Sequence, residues 1–586
     1  MTTNRDVYET DILIIGSGGA GLRAAIEAAK IAKVTIVSKG PFARGGASVL
    51  AGADVMLDGK SLSDLGFEGN PRDSQEQWFD DILAEGFYLN NQDLVEAYVL
   101  NAPKRVKELL DWGMKTNPSR TDTRAVITTG AEILRVLRQQ VKESGAKAIE
   151  YVMVTDLLLN DDVVCGAIGV DSHTGNVIVF KCKAIILATG GWHELYSFNT
   201  GSNELTGDGP AIAYRAGAKL TNMEMVTFCP NVILHPPAYR GTVFLYNLLP
   251  GQLLNSHGDA FLQWESPEIV KIVQTSEWNK LLLSQASWRE IMGGRGTPHG
   301  GVYYSLRNVP ANLWEVLESR PSWKGWKFQG KDFSELIRKM KDGYAVEVGP
   351  AAHYFEGGIK IDDECKTTIP GLFAAGECTG ELFGANRVSA ATTEMLVEGA
   401  IAGRSATVFV QNTGIRTCSQ EQIRNLRVDL YQPLERTTGV RPGEIKTSIQ
   451  KAAYQHLGAI RDKTGLEEVL KEARAYQEAL AEVHAPKRKQ HNREWIEALE
   501  ARNLVELLGL VSLAALEREE SRGVHYRRDC PDVDNNRWLR NVVIHQENGQ
   551  ISITKEPVVA ACAEALKGII SYKESIQQAI RMLGPE

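Results

Sequence analysis

The clearest hydrophobic pattern in the chain is a strand–helix–strand unit close to its N-terminus. Residues 10–15, TDILII, are apolar without alternation, as in a strand that is buried on both faces of a parallel sheet. The segment GSGGAG follows, then LRAAIEAAKIA with helical spacing, and then VTIVSK as a second strand. The change from strand to helical spacing and back therefore predicts a β-α-β unit.

Helices and short strands are predicted between this unit and residue 190. Residues 92–113 and 131–143 have the apolar spacing of helices. From residue 150 to 187 the pattern changes to short apolar runs, which predict strands, and the run NVIVFKC indicates one arm of a hairpin. The first third of the chain is therefore predicted to be mixed α/β.

The composition and the predicted secondary structure change several times along the rest of the chain. Residues 236–350 are rich in Pro, Trp and Gly, with short helical segments (ESPEIVKIVQ and KDFSELIRKMKDG), and we interpret them as an inserted domain. Strand-like, glycine-rich sequence resumes at 350–405, and long amphipathic helices are predicted from about 420 to 520. The tail contains a predicted hairpin, NVVIHQENGQISITKEPV, that turns at Asn548–Gly549.

Length, composition and net charge exclude several classes of protein. A chain of 586 residues is too long for one compact core and predicts about three or four domains. Hydrophobic residues make up 43% and charged residues 24%, which is the range of globular proteins. Because the net charge is −8 and no block of basic residues is present, we do not expect nucleic acid as a partner.

Cysteine spacing and the length of apolar runs bear on metals and on location. The eight cysteines include no C-x-x-C pair, so we expect neither an iron–sulfur cluster nor any other metal site in this chain. A disulfide framework is not expected either, which fits a reducing, cytoplasmic setting. The polar N-terminus and the short apolar runs predict no signal peptide and no direct membrane insertion. Attachment to the inner face of a membrane would require partner subunits.

The glycine-rich segment of the first unit fits the motif G-x-G-x-x-G, with Gly16, Gly18, Gly19 and Gly21. It follows a predicted strand and opens a predicted helix, so its backbone N–H groups can hold a pyrophosphate at the positive end of the helix dipole. The alternative is a glycine-rich turn that binds no ligand.

Three other strand ends bear on the kind of dinucleotide. The second strand ends in Ser38–Lys39 instead of the acid that bonds a ribose in NAD sites; the Ser38 hydroxyl can meet a ribose or phosphate, whereas Lys39 can equally be a solvated surface charge. ATGG at 188–191 ends a buried strand, and GLFAAGE at 371–377 places a strand, a glycine and an acid before another helix. Together with GSGGAG these glycine-rich strand ends suggest FAD, although each alone is better explained as an ordinary strand-to-loop turn.

Ten segments of the chain form one further pattern. They are, in order, GSGGAG, SK, ATGG, TGDG (206–209), MEMVTFCP (223–230), LLNSHGDAF (253–261), HYFEGG (353–358), GLFAAGE (371–377), GANR (384–387) and ESRGVHYR (520–527). In this combination and order they resemble the flavoprotein subunit of succinate dehydrogenase and fumarate reductase. L-aspartate oxidase and the adenylylsulfate reductase α subunit are similar. The resemblance covers nearly the whole chain.

The resemblance implies a fold and a set of domains. The expected class is α/β: a Rossmann-like FAD-binding domain with an inserted α+β capping domain, followed by a helical domain and a small C-terminal domain. The expected boundaries are 1–235 with 351–415 for the FAD-binding domain, 236–350 for the capping domain, 416–525 for the helical domain and 526–586 for the C-terminal domain. Substrate is expected at the cleft between the first two. Because the family keeps its iron–sulfur clusters in a separate chain, an iron–sulfur partner subunit is also implied.

The resemblance also implies how FAD is held. In many members a histidine in a segment S-H-T-V-A-A-Q-G-G bonds covalently to FAD, and Gly46 stands at that position here. We therefore expect non-covalent FAD, which suits substrate reduction better than succinate oxidation. The expected FAD-binding residues are Gly16, Gly18, Gly19, Gly21, Ser38, Lys39, Gly45, Gly46, Ala47, Gly190, Asp208, Glu377, Arg387 and Thr392.

One carboxylate-binding end of the family's substrate pocket is preserved. In the family the arginine of GANR binds a substrate carboxylate, and the helix after it points its N-terminus at the flavin; we assign these roles to Arg387 and to the backbone of 389–393. The histidine of H-Y-x-x-G-G is His353. The alternatives are a surface ion-pair role for Arg387 and a purely structural histidine.

The opposite end of the pocket departs from the family. Cys229 replaces a substrate-binding histidine, and Val243 and Phe244 align with a Thr-Glu pair. R-G-E-G-G is missing before LLN (253–255), and Phe383 replaces the histidine ahead of GANR. A carboxylate buried against such a wall without partners would cost several kcal/mol. An apolar group fits better, so a C4 dicarboxylate in the usual pose is not expected.

The proton-transferring arginine of the family aligns best with a lysine. That lysine is Lys280, although Gln285, Arg289 and Arg295 lie close enough that a gap would change the assignment. A lysine that acts as a base near neutral pH needs a pKa lowered by burial.

Four hypotheses of function remain open from the sequence. The first is hydride transfer between flavin N5 and a C–C bond α,β to a carboxylate or carbonyl, on a substrate other than fumarate or succinate. The second is the ordinary fumarate–succinate reaction. The third is a sulfur-directed flavoenzyme, similar to adenylylsulfate reductase, in which Cys229 or the flavin attacks sulfur. The fourth is an electron-relay flavoprotein in a multisubunit complex.

Overall fold

A computed structural model describes residues 6–117, 124–243, 251–262, 278–309, 314, 332–387, 390–547 and 549–559. The predicted helix ESPEIVKIVQ, the pocket residue Phe244 and the turn residue Asn548 lie outside the described residues.

The strands are numbered in chain order. They are β1 (Val7–Glu9), β2 (Ile12–Ile15), β3 (Val34–Val37), β4 (Asp54–Met56), β5 (Ala125–Ile127), β6 (Lys147–Ile149), β7 (Val152–Asn160), β8 (Val163–Asp171), β9 (Val177–Lys181), β10 (Ala184–Leu187), β11 (Leu220–Thr221), β12 (Val226–His235), β13 (Gln252–Leu254), β14 (Val302–Ser305), β15 (Val346–Phe355), β16 (Gly358–Ile359), β17 (Leu372–Ala374), β18 (Arg540–Glu547) and β19 (Gln550–Pro557).

The α-helices are numbered in the same way. They are α1 (Gly19–Ala28), α2 (Gly46–Leu50), α3 (Gly59–Asp64), α4 (Gln75–Glu85), α5 (Gln92–Asp111), α6 (Gly130–Ser144), α7 (Asp208–Arg215), α8 (Trp278–Glu290), α9 (Ser334–Lys341), α10 (Ala391–Gln411), α11 (Gln420–Glu435), α12 (Pro442–His456), α13 (Lys463–Leu480), α14 (Arg493–Glu517) and α15 (Asn535–Trp538). Short 3₁₀ turns at His193–Leu195 and Pro237–Tyr239 and a π-helical turn at Ile291–Arg295 complete the helical elements of the described residues.

A five-stranded parallel sheet lies at the centre of the nucleotide-binding part. Its strand order is β17-β10-β2-β3-β6, and every neighbouring pair runs parallel. The apolar runs of β2, β3 and β10 are buried along their whole length, because helices cover both faces of such a sheet. The β2–α1–β3 order confirms the β-α-β unit predicted from the apolar pattern.

Helix α10 packs closely along α1 through small residues. A Cβ added at Gly399 would lie 2.5 Å from the carbonyl oxygen of Ala20, and one at Gly403 would lie 2.4 Å from that of Ala24. One turn earlier, the thioether of Met395 lies 2.0 Å from where a Cβ of Gly19 would be. Glycines therefore allow the contact, and α10 begins beside the glycine-rich loop.

A second, antiparallel sheet carries residues of the expected substrate pocket. Its order is β12-β15-β14-β13, and Cys229 on β12 lies opposite Ala351 on β15. Helices α8 and α9 supply apolar side chains to the core of this part of the chain. The expected domain boundaries remain a prediction. The boundaries expected after residues 235 and 350 fall at the end of β12 and inside β15.

Buried ion pairs connect the end of the helical part to the segment before β12. Arg518, next to the end of α14, bonds the Glu224 carboxylate at 2.6 Å and Glu520 at 3.0 Å, and all three side chains are fully buried. The β18–β19 hairpin pairs with β11, which confirms the predicted hairpin. The predicted α/β class with a helical region is confirmed. Within the described residues, no helix is long and apolar enough to cross a membrane.

Candidate cofactor and substrate site

The turn between β2 and α1 requires glycine. Gly16 has φ +113°, and a Cβ there would lie 2.1 Å from the carbonyl oxygen of Ala188. A Cβ at Gly21 would lie 2.1 Å from the carbonyl oxygen of Gly16. The N-cap of α1 is Gly18, which provides no side-chain cap, so the N-terminal N–H groups of α1 are not all used within the helix. This arrangement suits a phosphate group.

A second glycine turn, at Gly45–Gly46, faces an acidic side chain. The N–H of Gly46 donates to Glu204 Oε2 at 3.0 Å, and a Cβ at Gly45 would lie 1.9 Å from the same oxygen. Gly46 itself has φ +74° and open space where a Cβ would be, and Ala47 follows it in α2. Gly46 therefore has no reactive side chain at the position where many members of the family that the sequence resembles carry a histidine.

Lys39 and Asp208, both expected at the cofactor, bond to each other. Lys39 Nζ lies 2.9 Å from Asp208 Oδ2 and 3.1 Å from Glu500 Oε1. Burial alone lowers the pKa of Lys39, but the charges of Asp208 and Glu500 outweigh it and raise this pKa to about 12. The alternative that Lys39 is a solvated surface charge is wrong, because its side chain is only 15% exposed and ion-paired. The neighbouring Ser38 hydroxyl donates to the carbonyl of Gly40 at 2.8 Å.

Glu377 provides an acceptor that fits a nucleotide hydroxyl. It follows β17 and lies beside Gly190 and Gly191 at the end of β10. Its Oε1 is buried and has no hydrogen-bond partner among the described residues. Burial raises the pKa of Glu377 to about 8, against the opposing charge of Arg387. An unpartnered acceptor between two glycine-rich strand ends fits a flavin nucleotide.

The start of α10 is anchored to β4. The Thr392 hydroxyl donates to the carbonyl of Asp54 at 2.6 Å, and the Thr393 hydroxyl bonds both backbone groups of Met56. Ala390 is the N-cap and offers no side-chain cap. No side chain therefore caps the N–H groups at the start of α10, and this positive end of the helix is suited to bind a negative charge.

Arg387 lies in the interior of the site. Its guanidinium carbon is 4.6 Å from the centre of the Tyr354 ring, a cation–π contact. Its backbone N–H donates to Glu356 Oε1 at 3.2 Å, and the Thr227 hydroxyl bonds the same oxygen. Arg387 is only partly exposed, so the geometry does not favour the surface ion-pair alternative.

His353 and Lys280 lie near Arg387. His353 Nδ1 is 2.8 Å from the Thr200 hydroxyl, and its carbonyl is 3.1 Å from His193 Nε2. Burial, followed by the charges of Arg387 and Lys280, holds the pKa of His353 well below its usual value, so the imidazole is neutral at pH 7. Lys280 is itself 8% exposed, on α8. The structure thus brings together three of the predicted catalytic residues.

The wall that contains Cys229 is apolar. Cys229 is fully buried in a cluster with Val232 and Ala351, against which Phe198 and Val243 pack. Phe383 packs instead against the rings of Tyr98 and Tyr354, with centroids 5.8 and 5.9 Å away. Arg295, one of the alternatives to Lys280, pairs with Glu290 at 2.7 Å.

Three buried glutamates near the expected site, Glu356, Glu394 and Glu398, have no role predicted from the sequence. Together with Glu377, an expected cofactor contact, they form what we call the acidic cluster. The Tyr354 hydroxyl bonds both oxygens of Glu394, at 2.7 and 2.6 Å, and Glu398 accepts from the N–H of Gly376 at 2.7 Å. The available signal was the spacing of Glu394 and Glu398, which places both acids on one face of a helix that is otherwise apolar and small.

These features define a class of protein. The parallel sheet, the glycine-rich strand ends and the uncapped helix starts fit a dinucleotide-binding flavoprotein, with polar side chains for substrate next to the cofactor site. Within the described residues, no group of three or more His, Cys, Asp or Glu side chains is arranged to bind a metal ion.

Comparison with known proteins identifies the family. The model described as FAD binding domain matches residues 11–393, and the one described as Fumarate reductase flavoprotein C-term matches residues 446–568. One subunit of the fumarate reductase (CoM/CoB) of Methanothermobacter marburgensis is 32% identical over 565 residues, which cover 92% of this chain and 98% of that protein. The fumarate reductase flavoprotein subunit of Mycobacterium tuberculosis is 31% identical over 603 residues, with 94% and 97% covered.

Solved structures agree with this result. Mycobacterium smegmatis Sdh1 in complex with UQ1 superposes with a TM-score of 0.84 at 28% identity, covering 97% of this chain and 98% of that one. The chain therefore belongs to the fumarate reductase/succinate dehydrogenase flavoprotein family and is an FAD-dependent oxidoreductase.

Proposed function

We propose that this chain catalyses hydride transfer between FAD and a C–C bond α,β to a carboxylate or carbonyl, on a substrate whose remainder is apolar. The observation that carries the proposal is the contrast between the surroundings of the residues that we expect to line the substrate pocket. Arg387, His353 and Lys280 supply a polar end, whereas Cys229 and its neighbours form an apolar wall.

At the polar end, each residue has a distinct role. Arg387 holds the substrate carboxylate or carbonyl, for which its planar guanidinium is suited. The neutral His353 hydrogen-bonds the same group, and together they stabilise the charge that develops on it. Lys280 is the group that we propose for proton transfer at the α carbon. When bound, FAD supplies the hydride chemistry at N5.

The apolar end determines what else the substrate contains. A second carboxylate at the Cys229 wall would meet Val232, Ala351 and Val243. Burying it there without partners would cost several kcal/mol, of the order of 2–7 for a polar group and more for a charge. We therefore propose a monocarboxylate, or a carbonyl compound with a bulky apolar part, instead of fumarate or succinate.

The cofactor is proposed to be non-covalent. Gly45, Gly46 and Ala47 contain no nucleophilic side chain, which supports this assignment. The other proposed contacts are backbone at Gly16, Gly18, Gly19, Gly21 and Gly190, and side chains at Ser38, Glu377, Arg387 and Thr392. Lys39 and Asp208 are proposed to support the wall of the site through their mutual ion pair.

Electrons are proposed to pass to or from a separate iron–sulfur subunit. The eight cysteines form no C-x-x-C pair, and two relatives bear names that describe them as subunits. We propose a cytoplasmic location, with attachment to the inner face of a membrane only through such partners.

An anaerobic spectroscopic titration tests the proposal. FAD-loaded protein is reduced with dithionite and mixed with fumarate, crotonate, longer unsaturated monocarboxylates or their thioesters, and the return of the oxidised flavin spectrum is followed. We expect the unsaturated monocarboxylates or thioesters to reoxidise the flavin. Reoxidation by fumarate alone would favour the ordinary reaction. The absence of reoxidation by every compound would favour the electron-relay alternative.

A further inference from the structure

The acidic cluster joins three separate parts of the chain, and one guanidinium acts on three of its four members. Glu356 follows β15, Glu377 follows β17, and Glu394 and Glu398 lie one turn apart on α10. The charge of Arg387 acts on Glu356, Glu377 and Glu394. If all four carboxyl groups were ionised, their negative charge would exceed the single positive charge of Arg387.

Other titratable groups face the cluster without balancing it. His193 lies 3.6 Å from Glu377, but burial lowers its pKa to about 4, and His353 is neutral as well. Arg461 interacts with Glu356, yet its guanidinium is bonded at 2.7 Å to the carbonyl of Glu224. The remaining titratable groups in range are Tyr354, Cys365, Cys378 and, through His353, Lys280.

Two carboxyl oxygens of the cluster that are not expected to contact the cofactor lack hydrogen bonds. Oε2 of Glu356 and Oε1 of Glu398 are buried and have no hydrogen-bond partner among the described residues. An ionised oxygen without a partner in such a place is unfavourable, so protonation is favoured. Consistently, burial raises the pKa of Glu356 to about 7, and it raises the pKa of Glu398 as well.

The cluster also adjoins the cofactor site. Glu398 accepts from the N–H of Gly376 at 2.7 Å, next to Glu377, and from the Thr379 hydroxyl at 3.1 Å. Between the two glutamates of α10, Met395 packs on Gly19 of the glycine-rich loop. A negative charge added at the cofactor would therefore be felt by carboxyl groups that hold protons weakly enough to exchange them near pH 7.

We propose that Glu356 or Glu398 of the acidic cluster takes up one proton when the bound cofactor accepts two electrons. A carboxylate of the cluster becomes a carboxyl group with a proton from solvent, in addition to the proton that the cofactor itself takes. The electrons come from an external reductant: dithionite in the test and an electron-donating partner in the cell. The inference rests on the proposed function only in requiring FAD, and it holds whichever substrate is used.

The midpoint potential as a function of pH tests the inference. FAD-loaded protein is titrated anaerobically with dithionite and redox dyes between about pH 6 and pH 8. For a two-electron couple, each additional proton steepens the slope by about 30 mV per pH unit, the equivalent of one tenfold change. We expect this excess slope in the wild type. It should disappear in the double variant Glu356→Gln/Glu398→Gln, because a glutamine amide resembles a protonated carboxyl group but cannot titrate.

A matched control separates the cluster from buried glutamates in general. Glu381 is fully buried but bonded to Lys360 and to the Thr221 hydroxyl, both at 2.7 Å. Glu381→Gln should keep the wild-type slope. Equal slopes in the wild type and the double variant would overturn the inference.

Infrared difference spectroscopy provides a second readout that does not depend on the potential. The reduced-minus-oxidised spectrum of the wild type should gain a protonated-carboxyl band that is lost in the double variant. A spectrum without that band in the wild type would overturn the inference. Neither measurement uses a substrate, so a failure of the proposed function would leave both readouts intact.

Discussion

Replacement of Arg387 by glutamine should weaken the binding of a monocarboxylate strongly. A carboxylate held by two charge-assisted hydrogen bonds loses both, each of which contributes about 1.5–3 kcal/mol. Because Arg387 is partly exposed, we take the lower value for each bond, about 3 kcal/mol in total, or a decrease in affinity of about 100-fold. The loss of the guanidinium also leaves the acidic cluster with less positive charge to offset its repulsion of an anion.

The assay is a titration of oxidised, FAD-loaded protein with crotonate, followed through the flavin spectrum. The matched control is Arg295→Gln, which removes an arginine that is 42% exposed and paired with Glu290. We expect the control to bind crotonate as the wild type does, because the ion pair of Arg295 with Glu290 is screened by solvent. Each variant's FAD content is measured first, since Arg387 is also a proposed cofactor contact. An affinity of Arg387→Gln within about threefold of the wild type, about 0.7 kcal/mol, would refute the assigned role.

Three further changes test other parts of the account. Arg518→Met leaves the Glu224 carboxylate buried without its cation, and we expect a loss of about 3–5 kcal/mol in stability, against about 0–1 for the exposed pair variant Arg537→Met. Thermal unfolding measures both, and equal midpoints would contradict the expectation. Cys229→Ser should leave reoxidation by crotonate within about twofold of the wild type, since binding at this wall needs volume and not a thiolate; a large loss would favour sulfur chemistry. Glu377→Gln in the apoprotein tests a raised carboxyl pKa. The value of about 8 against an ordinary 4.5 means that the folded state holds the proton more tightly, so this contribution to stability is complete below pH 4.5 and is lost as the pH rises through 8. The free energy of unfolding of the variant should therefore change less between pH 4.5 and pH 8 than that of the wild type. An equal change in both proteins would contradict this reasoning.

Local pattern predicted the elements of the fold well. Buried apolar runs such as 10–15 and helical spacing such as 92–113 depend on neighbours in sequence, and the structure confirms both as β2 and α5. The resemblance also selected Arg387 and His353, and in the structure the charge of Arg387 acts on His353.

Contacts between distant parts of the chain were not accessible to the same reasoning. From the sequence, Lys39 can be a solvated charge or a cofactor contact, because its partners Asp208 and Glu500 lie far along the chain and no local signal connects them. The acidic cluster was missed for the same reason. Its members come from three separate parts of the chain, and only the fold brings Glu356, Glu377 and Glu394 within range of the Arg387 charge.

The apolar character of the Cys229 wall is tested by the rate at which substrates reoxidise the dithionite-reduced protein. Stopped-flow mixing with crotonate and with fumarate, at equal concentrations and without oxygen, gives the ratio of the two rate constants for the wild type. We predict that crotonate is the faster oxidant, and that Cys229→His, which adds a polar partner at the apolar wall, moves the ratio towards fumarate. Faster reoxidation of the wild type by fumarate would show that a second carboxylate is accepted at the Cys229 wall, and it would contradict the account.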